Sequence, residues 1–109
     1  MSAVPALFYC DDFASTAGAK TTVFTAPAGH TYTVLQGVFY NGHSEYTPCH
    51  AYIYIIRSAT STQTMVKHVV VRQGDTVLQD LSVSLGPGDS LQLSTLIPLK
   101  LIFAGIDYA

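Results

Sequence analysis

Short runs of β-branched and aromatic residues, cut at close intervals by Gly, Pro, Asn and Asp, dominate this sequence. No window sustains a helical 3.6-residue period, whereas alternation with a period of two recurs along the chain. The 12 Thr, 10 Val, 7 Tyr and 5 Phe are residue types that suit a pleated, half-buried surface. Thr21–Thr25 reads as a strand, stopped by Ala26-Pro27-Ala28-Gly29. His30–Tyr40 follows, with Tyr32, Val34, Val38 and Tyr40 on one face and Thr31, Thr33, Leu35 and Phe39 on the other. Gly37 within it marks a bulge or a close backbone approach. Asn41-Gly42 is a two-residue turn signal. Ala51–Arg57 is apolar almost throughout, as in a central strand. Ser58–Thr64 reads as a Ser/Thr loop, and Met65–Arg72, Thr76–Gln79, Leu81–Leu85, Leu91–Ser94 and Leu99–Ile106 as further strands. Seven or eight strands with frequent turns predict an all-β fold, a single antiparallel β-sandwich or jelly-roll-like domain. Residues 1–20 fit that pattern less well. They read as an N-terminal arm or extended segment ahead of a sandwich over residues 21–109.

A weak internal echo reads as two equivalent hairpin corners. Gly74-Asp75-Thr76-Val77 and Gly88-Asp89-Ser90-Leu91 each follow an apolar strand and open another. Gly supplies positive φ, and Asp bonds its own backbone. A calcium site would need six or more converging oxygens, which this pair lacks.

The composition excludes several function classes. Charged residues are 11% of the chain and hydrophobic ones 49%, the opposite of intrinsic disorder. Five Lys plus Arg and a net charge of −2 cannot form a phosphate-neutralising stripe, so no nucleic acid is expected as a partner. No apolar run reaches the length of a membrane helix, and the N-terminus lacks the basic start of a secretory signal. No membrane partner is expected. Cys10 and Cys49 do not make a disulfide framework and read as small buried hydrophobes.

Chemistry-bearing residues are sparse. His43, Cys49 and His50, with Cys10 and His68 elsewhere, match no standard zinc spacing. A Cys–His nucleophile lacks a helix-borne oxyanion hole. Asp11-Asp12 read as solvated or capping, Glu45 is the sole glutamate, and phosphate-binding motifs are absent. A crosslink between a Lys and Asn41, the sole asparagine, is disfavoured by its turn context. No catalytic residue, metal or cofactor is expected.

The tyrosines point to interfaces, where the ring buries and the hydroxyl finds a partner. Tyr52 and Tyr54 share one face of their strand, and Tyr32 and Tyr40 share a face of theirs. Phe8 and Tyr9 complete the interface candidates. Thr21–Ser44 contains no Asp, Glu, Lys or Arg, although a surface strand of a monomer usually carries charge against edge pairing.

The order Thr25-Ala26-Pro27-Ala28-Gly29-His30-Thr31-Tyr32-Thr33-Val34, Tyr40-Asn41-Gly42, Leu85-Gly86-Pro87-Gly88-Asp89-Ser90-Leu91 and Phe103-Ala104-Gly105-Ile106-Asp107 resembles the small β-sandwich structural proteins of tailed bacteriophages. The resemblance covers residues 21–108. It implies a non-enzymatic virion component assembled in the host cytoplasm. The implied role is capsid decoration, a cement protein bridging capsomers, with a neck or tail adaptor as the alternative. The implied partners are the major capsid protein or other virion proteins, in a homo-oligomer with a trimer favoured. A carbohydrate-binding module is a further alternative, weakened by the lack of Trp. A cupin-type enzyme would need an HxH pair that His30, His43, His50 and His68 do not supply.

Overall fold

The computed structural model describes residues 3–13, 20–42, 48–96 and 99–108, with the backbone alone along 7–13. Every regular element in it is a strand: β1 Ala3–Phe13, β2 Thr21–Thr25, β3 Thr31–Tyr40, β4 Cys49–Arg57, β5 Thr62–Val71, β6 Thr76–Leu85, β7 Ser90–Thr95 and β8 Leu99–Tyr108. They form two antiparallel four-stranded sheets, β1-β8-β3-β6 (sheet one) and β2-β7-β4-β5 (sheet two). That order, with only β4–β5 as a local hairpin, is the double Greek key of a jelly roll. The all-β sandwich expected from the sequence is the fold.

Alternation explains the core. Along β4, Cys49, Ala51, Ile53 and Ile55 are buried, while His50, Tyr52, Tyr54 and Ile56 lie on the outer face. Leu91 and Leu93 of β7 join them from the same sheet. Val34, Phe39, Leu85, Leu101 and Phe103 descend from sheet one. Phe39 and Phe103 meet edge-on, centroids 5.8 Å apart, the arrangement favoured by their ring quadrupoles. Gly37 makes room for them. A Cβ there would sit 2.8 Å from Phe39 Cε2 and 3.0 Å from Phe103 Cε1.

Simple alternation fails within β3. Val34 pairs with Gly105 and Gln36 with Ala104, so Leu35 is an extra residue against β8. The bulge inverts the parity. Val34 and Phe39 are both buried, while Tyr40 emerges on the outer face. Tyr32 packs against the core, so Tyr32 and Tyr40 do not share a face. β1 carries its own extra residue at the same level, between Leu7 and Tyr9. On β6, Ser82 takes φ 53° where the register with β3 shifts. One row of irregularities therefore crosses sheet one.

Three other expectations are corrected. Asn41-Gly42 is no hairpin turn, because β3 and β4 belong to different sheets. Asn41 is fully buried, and its Nδ2 donates to Val71 O at 2.9 Å. β5 begins at Thr62, since Ser61 takes the left-handed conformation (φ 53°) and shortens the loop. β6 is one strand, not two. β1 pairs along β8 at the edge of sheet one. Pro5 is tolerated at such an edge.

Both Gly-Asp corners carry Gly at positive φ as the echo suggested, but neither is a hairpin, because each joins strands of different sheets, and the Asp side chain bonds its own corner only at Asp89. Asp75 N–H donates to Arg72 O (2.9 Å) and Asp89 N–H to Gly86 O (3.0 Å). Gly74 N–H donates to Asn41 O and Gly88 N–H to Ala26 O, and Asn41 and Ala26 donate back to Asp75 O and Asp89 O. Gly74 (φ 78°) and Gly88 (φ 85°) supply the left-handed residue.

Candidate assembly surfaces

Sheet two presents an aromatic and amide face. Tyr52 stacks on His68, centroids 4.4 Å apart and planes 8° from parallel. His50 Nδ1 and His68 Nε2 are 2.9 Å apart, sharing one N–H···N bond between neighbouring strands. Lys20 lies 4.5 Å over the Tyr54 ring and donates to Gln63 Oε1 at 2.7 Å. Gln63 Nε2 donates to Gln92 Oε1, and Gln92 Nε2 to Thr22 Oγ1. A chain of side-chain hydrogen bonds thus links Lys20 to β5, β7 and β2. Met65 (54% exposed) and Val70 (44%) flank it.

Sheet one presents an apolar row. Val38 pairs with Leu78 on one side and Ile102 on the other, so the three form a line across β6, β3 and β8. Leu78 is 63% exposed and Ile102 36%. Tyr40 lies beside the row, between Thr76 and Lys100, with its ring leaning on Gly42. The tyrosine content did not reveal this row. The signal available was the apolar residue at 78, out of phase with Val77.

Of the candidate residues, Tyr52 and Tyr54 are brought together on sheet two, and Tyr40 stands alone on sheet one. Tyr32 belongs to neither face. It sits edge-on to Phe24 (4.8 Å) and parallel to His30 (5.9 Å). His30 Nδ1 is 2.9 Å from Asp107 Oδ1. Burial pushes the Tyr32 phenol above its ordinary value, and the Asp107 carboxylate adds to the shift. Phe8 and Tyr9 lie on β1, and their side chains are outside the described residues, as are those of Cys10, Asp11 and Asp12 and all of His43 and Glu45. Cys49 is fully buried, which suits the reading of a small hydrophobe.

Among the described residues no group of three or more His, Cys, Asp or Glu could hold a metal ion. No described helix is long and apolar enough to cross a membrane.

No family model and no curated protein matches the sequence. Solved structures do match. A chain of the T13 particle of infectious bursal disease virus is 11% identical with a TM-score of 0.70, over 97% of this chain. The Drosophila NLP core is 11% identical with a TM-score of 0.59, and the match spans 100% of both chains. A chain of the Bacillus endospore appendages is 15% identical with a TM-score of 0.55, over 99% of this chain and 88% of that one. What these chains share is the fold. This chain spans only 30% of the length of the viral one.

Proposed function

We propose that this chain is a non-enzymatic structural subunit of a virion, and specifically a capsid decoration protein that bridges capsomers. The observation that carries the reading is the eight-strand jelly roll, alike over 97% of this chain to a domain-sized part of a virus particle protein. The exposed apolar and tyrosine side chains of the two outer faces support it, because a cement protein works by contact area and needs no reacting group. Each contact can be modest, since many copies share the load through multivalency. The partner is the major capsid protein, and the subunit acts as a small homo-oligomer, a trimer in the phage proteins it resembles.

The test is to count copies of the chain per purified particle by quantitative mass spectrometry against the major capsid protein. A high, simple ratio is the expected result. A few copies per particle would move the chain to the neck or tail. Its absence from particles would overturn the reading.

A further inference from the structure

The β4–β5 hairpin brings together two imidazoles that are 18 residues apart in the chain. In its register His50 pairs with Val70 and Tyr52 with His68, so the two histidines sit on a diagonal of the ladder, within reach of each other. Their ring centroids are 5.1 Å apart, their planes are 23° from parallel, and His50 Nδ1 lies 2.9 Å from His68 Nε2. A neutral imidazole has one N–H and one lone pair, so one of the two facing nitrogens donates to the other. Tyr52, stacked on His68, holds the plane of that ring. His68 is exposed and His50 half-buried, so solvent reaches the pair. Cys49, next to His50 in the chain, is fully buried on the opposite face of β4.

We propose that His50 and His68 form a surface site for a divalent transition metal of square geometry, Cu2+ or Ni2+, bound by His50 Nδ1 and His68 Nε2. Imidazole nitrogen is a ligand that both ions favour. Two nitrogens held about 2.0–2.1 Å from an ion and at right angles to each other are about 2.9 Å apart, whereas a tetrahedral pair is about 3.4 Å apart. The right-angled spacing is the one the two strands already set, and square geometry belongs to Cu2+ and Ni2+. To bind, the donor ring moves its proton to its far nitrogen, and both rings turn until their lone pairs meet on the ion. The metal thus takes the place of the shared proton, and the strands keep their register. Two side chains make an open site, and water completes it from the solvent side. The site goes beyond the structural-subunit reading and does not rest on it.

The test is a titration of the full-length chain with Cu2+ alone, read by calorimetry and by electron paramagnetic resonance. The wild type should bind one equivalent at least about tenfold more tightly than His50→Gln or His68→Gln, because either substitution leaves a single imidazole and forfeits the second, tethered ligand. The two variants should match each other, and His30→Gln should bind as the wild type does. Nitrogen couplings in the resonance spectrum should report two imidazoles in the wild type and one in each variant. A thermal melt gives a second readout. Saturating Ni2+ should raise the midpoint of the wild type and leave both variants unmoved, since an ion that ties β4 to β5 binds the paired strands only. If a Gln variant fails to melt cooperatively, Asn at the same position takes its place. Wild-type binding no tighter than that of the variants, a loss on substituting only one of the two histidines, or a two-imidazole spectrum that survives either substitution would overturn the proposal.

Discussion

The two Gly-Asp corners share a backbone frame but not a lock. Both close a four-residue turn, both place Gly at positive φ, and both exchange a pair of backbone hydrogen bonds with the residue just past the strand that pairs with the one the corner opens, Asn41 after β3 beside β6 and Ala26 after β2 beside β7. At 86–89 the polar lock comes from the corner itself. Asp89 is nearly buried and accepts from Ser58 N–H, Gly86 N–H and Arg57 Nη1, each at 2.9 Å. Arg57 also donates to Ser84 O, so the end of β4 is tied to the end of β6. At 72–75 the lock comes from the other side. Asp75 is exposed, and the buried Asn41 side chain holds Val71 O instead. Equivalent motifs therefore need not place their work on equivalent side chains. What decides is the polar group that the neighbouring strand ends bring up, Arg57 and Ser58 at one corner and Asn41 at the other.

The largest test of that difference is Asp89→Ala. It strips three donors of a charged acceptor and should cost about 3 kcal/mol in denaturant unfolding. Asp75→Ala should stay within about 0.5 kcal/mol, since its corner uses the backbone carbonyl that any residue keeps. Equal costs would mean that the two locks are equivalent after all.

The same contrast should appear in acid. The Ser58 N–H bond, opposed by burial and helped by Arg57 and Gly86, holds the Asp89 carboxyl below the usual carboxylate range. Its stabilising effect is therefore present above about pH 3.9, the unfolded value, and is lost as pH falls through the lower native one. Asp89→Asn should flatten the loss of stability below pH 4, read from urea midpoints across pH 2 to pH 6.

Glycine substitution should separate the corners by a smaller margin. Gly88→Ala combines the left-handed backbone with a Cβ placed 2.9 Å from Ser58 Oγ and should cost about 2.5 kcal/mol. Gly74→Ala meets open space and should cost about 1 kcal/mol, the conformational part alone. A thermal melt resolves the two.

Asn41→Ala should cost about 1.5 kcal/mol, roughly half the loss expected of Asp89→Ala. It leaves Val71 O without this donor, while the backbone bonds of the corner persist. A loss matching that of Asp89→Ala would show that the buried amide carries as much as the carboxylate.

Much of this was legible beforehand. Alternation in β4 placed Ile53 and Ile55 opposite Tyr52 and Tyr54, and the Gly-Asp echo marked both corners. Gly37 was legible as a close approach, and Phe39 and Phe103 are what it approaches. The face assignment of β3 was not legible, because one extra residue at Leu35 inverts every side chain beyond it and a bulge needs only a register mismatch with a neighbour. Asn41-Gly42 misled for a related reason. The dipeptide favours a turn, but a hairpin also needs the flanking strands to be neighbours, and β3 and β4 are not.

By itself the sequence determined the residue-level terms: strand propensity, the period of two, the turn chemistry of Gly, Pro and Asp, and the scarcity of charge. Those are local and survive any arrangement of the chain. Tertiary structure alone decided which strands became neighbours, where the registers slipped, and so which apolar residues were left outside. Leu78, Val38 and Ile102 are far apart along the chain, and only the pairing of β6, β3 and β8 aligns them.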